Sequence, residues 1–262
     1  MINKHLISAI FLLSCFLISC SKNRNKQGDE QIAITPESDT ASSNDSLFNS
    51  VSGNVTMKQI STFPNKVILT GLDNHRLVSI YKSRTGTNTQ DNSRFSSYSY
   101  DDENGDESNE HFMPGIDILF GYNLLNIAHY NLNSETGNYF FSHPVLVKTL
   151  YYPSFVQDSI NNQPINRNYY LVSVYDEDTN NDSLINNKDL RKFYHFDESS
   201  LIKKLLIPAE YSVVRSQYDS KNDLMYVFAR LDENKNGTQD KLEPVHIFWF
   251  SLKAPDTAKL LY

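Results

Sequence analysis

Cysteine is nearly absent from this chain of 262 residues, which has only Cys15 and Cys20, both at its amino-terminal end. Residues 21–262 therefore cannot form a disulfide among themselves, and they cannot supply a thiol nucleophile or a zinc–thiolate site. Stability in that region must come from packing or from bound ions.

Glycine and proline are also scarce, with nine residues each, whereas the chain has 16 Tyr and 15 Phe. The sequence is therefore not of low complexity, and its aromatic content suits the pleated, half-buried surfaces of β-sheets.

A long hydrophobic run is missing as well. The apolar stretch Leu6–Ile18 covers 13 residues, fewer than the roughly 20 that a membrane-spanning helix needs.

Positive charge is in deficit, since 24 Lys and Arg stand against 31 Asp and Glu and the formal net charge is −7. Loss of residues 1–19, argued next, removes Lys4 and leaves 23 basic residues and a charge of −8. Such an excess of negative charge argues against nucleic acid as a partner.

The amino terminus has the layout of an export signal: a weakly basic start containing Lys4, then the apolar run Leu6–Ile18. The run ends in Leu17-Ile18-Ser19-Cys20, which resembles the lipobox of bacterial lipoproteins. The resemblance implies that the Cys20 thiol receives a diacylglycerol, that residues 1–19 are cleaved off, and that the new amine is acylated, for example with palmitate. An ordinary secretory signal and a short buried helix are the alternatives.

An acylated Cys20 would anchor the chain to a membrane of the cell envelope. Residues 20–52 are mostly polar and show no apolar period, so we expect a disordered, flexible tether. Its first charges, Lys22, Arg24 and Lys26, are basic, whereas acidic tracts after the cysteine are associated with surface export in some bacterial groups. We therefore expect the outer membrane, with the domain facing the periplasm; exposure at the cell surface is the alternative.

Residues 53–262 alternate between short runs of Val, Ile, Leu, Tyr and Phe and polar, turn-forming clusters. Because no 3.6-residue stripe extends beyond two turns, the pattern predicts an all-β, antiparallel domain. The predicted strands are Val67–Thr70, Arg76–Lys82, Arg94–Tyr100, Ile116–Tyr122, Leu124–Tyr130, Asn138–Phe141, Val145–Tyr151, Tyr169–Tyr175, Arg191–Phe196, Leu201–Ile207, Tyr211–Tyr218, Leu224–Leu231 and Val245–Leu252.

A unit of strand, acidic loop and strand recurs along this domain. Tyr170–Tyr175 and Lys192–Phe196 flank one loop rich in Asp and Asn, and Leu224–Leu231 and Val245–Leu252 flank a second. A weaker third copy covers residues 95–110. The spacing of these units along the chain is irregular.

One of these units resembles a WD-type β-propeller blade of bacterial envelope proteins. In such blades an Asp-Gly-type turn precedes a hydrophobic strand, as in Tyr218–Phe228, and the next strand ends in an apolar, aromatic and Leu phrase, as in Ile247–Leu252. Asn126–Gly137 resembles the same closing strand and turn. The resemblance implies propeller-like repeats, but about three units are present where closed propellers have four to eight. We expect a partial propeller, with a β-sandwich or pairing between chains as alternatives.

The loop that begins at Asp178 has the spacing of a calcium site. Calcium takes six to eight oxygen ligands, and side chains at positions 1, 3 and 5 of a tight loop can point at one centre. The loop resembles those of EF-hand and dockerin modules, with apolar Ile185 at position 8, but Ser183 replaces the glycine of position 6 and flanking helices are lacking. Asp176 allows a shifted register. The implied ligands are Asp178, Asn180, Asp182, the Leu184 carbonyl, Asn186 and Asp189.

The loop that begins at Asp232 has Gly237 at position 6 and carboxylates at positions 9 and 12. Gln239 takes the apolar position 8, so this loop is closer to the strand-flanked calcium hairpins of integrin-type propellers. The implied ligands are Asp232, Asn234, Asn236, the Thr238 carbonyl, Asp240 and Glu243. An earlier loop is the poorest match, since it has Met113 at position 12 and offers Asp102, Asn104, Asp106 and Glu110.

Ordinary β-hairpin turns are also rich in Asn, Asp, Ser and Gly, so solvated turns are the alternative interpretation of all three loops. We expect Ca²⁺ at the two later loops in a structural role. Calcium is plentiful outside the cytoplasm, and weak sites at hairpin ends would suffice to hold strands in register.

Motifs of enzymes are missing: the chain has no His-Glu-x-x-His, nucleophile elbow, phosphate loop or Rossmann fingerprint. His129, His195 and His246 fall within strand patterns and are expected to be packed or surface residues. Paired acids of a glycosidase cannot be told apart from acidic turn residues.

Clusters of adjacent aromatic residues recur in the predicted strands. Adjacent strand residues point to opposite faces, so at least one member of each cluster should be in the core, and an exposed member could stack on a glycan or peptide. The clusters are Tyr139–Phe141, Tyr151–Tyr152, Tyr169–Tyr170 and Phe248–Phe250.

The sequence thus favours a lipid-anchored envelope lipoprotein whose calcium-stabilised β domain is a binding or scaffold module with a protein or glycan partner. The alternative is an envelope hydrolase, directed at glycans, with its acids in the loops. A deep cleft with two opposed carboxylates would favour the enzyme. A flat or aromatic face, with the acidic loops engaged in turn hydrogen bonds, would favour binding.

Overall fold

The structure is a computed structural model that describes residues 30–33, 60–83 and 113–262. Cys20 and its signal, most of the expected tether, the predicted strand Arg94–Tyr100 and the loop of residues 101–112 lie outside the described residues. Within the described part, regular structure consists of β-strands without a helix. These residues accordingly contain no helix that could cross a membrane.

The strands of the described residues are short and follow one another closely. In chain order they are β1 Gln31–Ala33, β2 Thr62–Leu69, β3 His75–Lys82, β4 Ile116–Phe120, β5 Leu124–Asn131, β6 Thr136–Tyr139, β7 Leu146–Pro153, β8 Ser159–Ile160, β9 Gln163–Pro164, β10 Tyr169–Tyr175, β11 Leu184–Asn186, β12 Lys192–Asp197, β13 Lys203–Leu205, β14 Tyr211–Asp219, β15 Leu224–Leu231, β16 Val245–Ser251 and β17 Lys259–Leu260.

Three antiparallel sheets organise these strands. The N-terminal sheet has the order β2-β3-β5-β6, the central sheet β13-β12-β10-β7-β4, and the C-terminal sheet β14-β15-β16-β17; β1-β11 and β8-β9 form two small ribbons. Strand β4 pairs with β7 rather than with its sequence neighbours, so the chain crosses between the N-terminal and central sheets. The prediction of an all-β antiparallel fold is confirmed.

The central sheet is covered on both faces, and β10 shows how. All seven of its residues are buried. Tyr169 and Leu171 pack into a core shared with the C-terminal sheet, whereas Tyr170 and Val172 pack into a core shared with the N-terminal sheet, because successive strand residues alternate between faces. The described residues form three face-to-face layers, and these layers do not close into a ring.

Strand boundaries follow the predictions most closely in the buried strands. Strands β10 and β15 have the predicted limits. Strand β2 begins at Thr62 rather than Val67, and β6 ends at Tyr139 because Phe140 and Phe141 turn into the core. Strand β13 is shorter than the predicted Leu201–Ile207.

The segment expected to be an unstructured tether contains strand β1. Its central residue, Ile32, is fully buried and packs with Leu125, Leu146 and Ile185, while its backbone pairs with β11. Glu30 adds an ion pair of 2.7 Å to Lys148. The expectation of disorder is therefore wrong for residues 30–33, because a strand of three residues is too short to show a period, yet its one buried side chain packs into the core.

Candidate functional site

Each of the two later acidic loops connects a pair of hydrogen-bonded antiparallel strands. Loop 1, Asp178–Asp189, lies between β10 and β12, and loop 2, Asp232–Glu243, lies between β15 and β16. Loop 1 belongs to the central sheet and loop 2 to the C-terminal sheet. The arrangement of strand, acidic loop and strand that the sequence indicated is present in both.

Loop 1 is ordered by hydrogen bonds from its backbone to its own polar side chains. The Asp182 amide donates to Asp178 Oδ1 and to Asn180 Oδ1, each at 3.0 Å. The Ser183 amide donates to Asp178 Oδ2 at 2.8 Å, and the Leu184 amide donates to Asp182 Oδ1 at 3.0 Å. These bonds turn the side chains of positions 1, 3 and 5 toward the inside of the loop.

Loop 2 repeats this scaffold position by position. The Asn236 amide donates to Asp232 Oδ1 and to Asn234 Oδ1, each at 3.0 Å. The Gly237 amide donates to Asp232 Oδ2 at 2.9 Å, and the Thr238 amide donates to Asn236 Oδ1 at 2.7 Å. Two loops of different sequence therefore hold the same backbone geometry around the same three side-chain positions.

The backbone turns left-handed at positions 4 and 6 of both loops. The φ angles are 58° at Asn181 and 66° at Ser183 in loop 1, and 56° at Lys235 and 69° at Gly237 in loop 2. A residue with a Cβ is strained there by roughly 1–2 kcal/mol. Ser183 thus adopts the conformation for which the resembling calcium loops use glycine.

Position 12 is where the two loops differ. The carboxylate of Asp189 is fully buried and accepts hydrogen bonds from the amides of Thr179 and Asn186, both at 2.8 Å. Burial raises the pKa of Asp189, and these hydrogen bonds oppose the rise. Glu243 accepts one bond, from the Glu233 amide at 3.1 Å. Among the described residues Glu243 is therefore the position 12 carboxylate with more capacity to bind a cation.

The two loops contact each other directly. Thr179 Oγ1 donates to the Gly237 carbonyl at 2.5 Å, and the Gln239 amide donates to the Lys188 carbonyl at 2.8 Å. A Cβ on Gly237 would lie 1.9 Å from the Thr179 carbonyl oxygen. Sequence reasoning identified Gly237 by its place in the loop, but it missed this close approach, which joins the loops into one unit.

The polar side-chain atoms that the two loops turn inward are oxygens. In the described part of the chain, no group of three or more His, Cys, Asp or Glu side chains lies close enough together to hold a metal ion. Each loop instead mixes Asp with Asn side chains and a backbone carbonyl, which are hard oxygen ligands of the kind that calcium accepts. Asp176 is buried and accepts a hydrogen bond from the Tyr194 hydroxyl at 2.8 Å through Oδ2, whereas its Oδ1 has no hydrogen-bond partner among the residues that the structure describes.

A pocket of about 240 Å³ lies beside the β2–β3 turn and the segment after β7. Its lining has one carboxylate, Asp73, together with Arg76 and Arg167. The Arg167 guanidinium is bound by both oxygens of Asp223, at 2.7 and 3.0 Å. The pocket therefore lacks the two opposed carboxylates that glycoside hydrolysis requires.

The histidines singled out in the sequence are strand residues, as expected. His129 in β5 is buried and lies 2.7 Å from His75 Nδ1 and 3.3 Å from Asn138 Oδ1. Burial lowers the pKa of His129. His246 in β16 lies 2.7 Å from the Tyr211 hydroxyl. Packing and hydrogen bonds to these partners explain why His129 and His246 occupy their positions.

Each aromatic cluster contributes at least one ring to the core, as predicted. Tyr169 and Tyr170 are both buried, on opposite faces of β10. In the last cluster Phe248 and Phe250 are buried, whereas Trp249 between them is partly exposed. Trp249 is therefore a candidate for a surface role.

In comparisons with known proteins, no family model, no curated protein and no solved structure matches this chain.

Proposed function

We propose that this chain is an envelope lipoprotein whose lipid-anchored β domain is a calcium-stabilised binding or scaffold module. The observation that carries the proposal is the shared scaffold of loops 1 and 2, with matching hydrogen bonds and left-handed positions. Solvated turns need no such agreement over positions 1–7, whereas a common ligand geometry does.

Calcium would stabilise the junction of two sheets. A bound ion supplies positive charge that links oxygens from distant parts of one loop. In loop 2 the ligands would be the side chains of Asp232, Asn234, Asn236, Asp240 and Glu243 with the Thr238 carbonyl. In loop 1 they would be Asp178, Asn180, Asp182, Asn186 and the Leu184 carbonyl, with Asp189 closing the loop. The contact of Thr179 with Gly237 would couple the two loops.

Three features favour binding over hydrolysis. The described pocket has a single carboxylate, the side chains of the acidic loops are engaged in turn hydrogen bonds, and the C-terminal sheet has a partly exposed aromatic residue, Trp249. A glycan-directed hydrolase would need a pair of acids free to exchange protons.

The propeller-like interpretation of the fold is part of this proposal. Each of the three sheets contains four antiparallel strands paired in chain order, namely β2-β3-β5-β6, β7-β10-β12-β13 and β14-β15-β16-β17, and neighbouring sheets pack face to face. In the first set the chain leaves the sheet through β4 between β3 and β5. Blades of a propeller have this composition. A three-layered β-sandwich is the alternative, and an experimental structure of the full chain distinguishes them by the angle between successive sheets.

The proposed calcium role is tested by measuring the Tm of the full chain in detergent, in the presence of 10 mM calcium, 10 mM magnesium or a chelator. Sites of roughly 10⁻⁴–10⁻³ M affinity would raise Tm by about 5 °C in calcium. Glu243→Gln should weaken calcium binding about tenfold while leaving the chelated protein unchanged. Glu233→Gln is the matched control, because Glu233 contributes its backbone amide rather than a ligand. Equal melting in all three conditions would refute the calcium role.

The lipid anchor has its own test. Cells expressing the chain are labelled with a fatty acid, and the wild type should incorporate it while Cys20→Ala should not. Labelling of Cys20→Ala would show that the proposed anchor is wrong. Fractionation of the labelled envelopes then assigns the membrane, which we propose to be the outer membrane with the domain facing the periplasm.

A further inference from the structure

The outward face of the C-terminal sheet is aromatic. Alternate residues of β15, such as Met225 and Val227, point into the core shared with the central sheet. Tyr226 and Phe228 therefore point to the opposite side, where both are partly exposed. Trp249 on β16 shares that side, since it is paired with Tyr226.

Strand register places these side chains in two adjacent rows. One row runs across all four strands as Gln217, Tyr226, Trp249 and Lys259. The next row contains Arg215 and Phe228. We name the set of six residues the aromatic face. Neighbouring strands are about 4.8 Å apart, so each row offers a flat, regularly spaced series of side chains.

Two cations lie directly over rings of the aromatic face. The Arg215 guanidinium carbon is 3.5 Å from the centre of the Phe228 ring, and Lys259 Nζ is 5.0 Å from the centre of the Trp249 ring. Among the described residues, neither cation has a carboxylate partner within ion-pairing distance. Both positive charges are therefore available to a ligand, although the whole chain has a net charge of −7.

An acid beside the aromatic face, Asp219, is already engaged in hydrogen bonds. Asp219, at the end of β14, accepts hydrogen bonds from the Lys221 and Asn222 amides at 3.0 and 3.2 Å and from Asn222 Nδ2 at 2.8 Å. The hydrogen bonds from Asn222 and Lys221, together with one from the Tyr226 side chain, lower the pKa of Asp219, so this carboxylate stays ionised. The aromatic face thus carries two cations, Arg215 and Lys259, and has one engaged carboxylate beside Tyr226.

We propose that the aromatic face binds an acidic glycan whose sugar rings carry carboxylates. This inference rests on the proposed binding function and names its ligand class. The apolar C–H faces of pyranose rings stack on Trp and Tyr, and the distance between strands is close to the length of one sugar unit in an extended chain. Arg215 and Lys259 would bind the carboxylates, and Gln217 would donate hydrogen bonds to hydroxyls.

The composition of the face favours a glycan over an apolar protein partner. The two rows combine rings with amide and cationic groups, whereas the central part of a protein interface is depleted of charge. An anionic membrane surface shares the attraction to cations and aromatic residues, so it is made an outcome of the test.

Trp249 is the sole tryptophan of the chain, so its fluorescence reports on this face alone. The full chain in detergent is titrated with oligogalacturonate, and with neutral maltohexaose as the matched sugar. We expect a saturable change in Trp249 emission with oligogalacturonate, weakened by salt, and a much smaller change with maltohexaose. Equal responses to both sugars, or none to oligogalacturonate, would overturn the proposal.

Variants distinguish binding at the aromatic face from general attraction between the ligand and positive charges elsewhere on the protein. Arg215→Gln and Lys259→Gln should each weaken oligogalacturonate binding about threefold, and Tyr226→Ala about fivefold. Lys204→Gln, which removes an exposed lysine from β13 on the central sheet, is the control and should retain wild-type affinity. Calorimetry with Trp249→Ala should show about a tenfold loss, and circular dichroism checks that each variant is folded.

Two further outcomes identify what fails. If the chain lacking its acyl group through Cys20→Ala binds anionic phospholipid vesicles through Trp249 but not oligogalacturonate, the ligand class is wrong and the surface is a membrane contact. Calcium-dependent melting is measured on the same samples. A calcium response without glycan binding would overturn this inference and leave the calcium role standing, whereas loss of both would remove the proposed function as well.

Discussion

Gly237 is fixed by two independent constraints. Its φ is +69°, and the position of a Cβ would be 1.9 Å from the Thr179 carbonyl oxygen. Gly237→Ala should therefore lower the free energy of unfolding by at least about 2 kcal/mol, because the left-handed strain adds to a backbone clash that no side-chain rotation relieves. Chemical denaturation measures this loss, and calcium binding should weaken with it.

Ser183 supplies the matched control at the same position of loop 1. Its φ is 66°, so Ser183→Gly removes strain of about 1 kcal/mol and adds a comparable entropic penalty in the unfolded chain. We expect a change within about 0.5 kcal/mol. If Gly237→Ala changed the free energy of unfolding as little as Ser183→Gly does, the contact between the loops would not contribute to stability.

At the scale of residues, the spacing of Asp and Asn indicated two tight polar loops but not the partners of each side chain. Local rules place Asp and Asn at alternating positions, and the observed hydrogen bonds of Asp178 and Asp232 are local ones. The burial of Asp189 and its bond to the Thr179 amide link the two ends of loop 1, and Thr179 in turn contacts loop 2. That contact involves residues 58 apart in the sequence, so no local pattern reveals it.

At the scale of elements, a buried ion pair joins the start of β10 to the β14–β15 turn. Both oxygens of Asp223 bind Arg167, which also donates to the Leu252 carbonyl at 2.6 Å. Arg167→Met should lower the free energy of unfolding by about 3–5 kcal/mol, because it leaves the Asp223 carboxylate buried without its cationic partner. Urea denaturation measures the loss.

The control for this prediction is a more exposed ion pair. Lys148 binds Glu30 at 2.7 Å, and its side chain is 18% exposed, compared with 1% for Arg167. Lys148→Met should lower the free energy of unfolding by less, about 1–2 kcal/mol, because the pair is only partly buried and Glu30 keeps its hydrogen bond from the Asn123 amide. A loss as large as that of Arg167→Met would show that burial does not set the strength of these pairs.

Strands could be predicted from the sequence where both of their faces are apolar, or where apolar and polar residues alternate clearly along the strand. Strands β10 and β15 contain such patterns, and their limits were predicted correctly. Strand β1 has three residues with one buried side chain, too little for any period. The pairing of β4 with β7 was not predictable either, because it joins segments separated by a complete hairpin and depends on which sheet edge is free.

At the scale of the whole molecule, the sequence indicated an antiparallel β protein without crosslinks in its domain, and the structure shows how packing can hold it together. The central sheet contributes side chains to two cores, one on each face. The number of strands in each sheet and the order of the layers depend on long-range pairing, which composition and alternation do not encode.

Because the two cores share one sheet, the three layers should unfold as one unit. Leu171 and Val172 are adjacent on β10, both fully buried, and face the C-terminal and N-terminal sheets respectively. Leu171→Ala and Val172→Ala should each lower stability by about 2 kcal/mol or more. Each variant should shift the transition seen by Trp249 fluorescence as much as the transition seen by circular dichroism.

Val172→Ala is the decisive variant, since its cavity opens toward the N-terminal sheet while Trp249 lies on the C-terminal sheet. If the layers were independent, circular dichroism would record an early partial transition, and Trp249 emission would still change at the wild-type temperature. If circular dichroism and Trp249 emission shift to lower temperature together, the cavity made by Val172→Ala destabilises both cores through β10. In that case calcium bound to loop 1, which follows β10 directly, would stabilise all three layers and not only the hairpin that carries it.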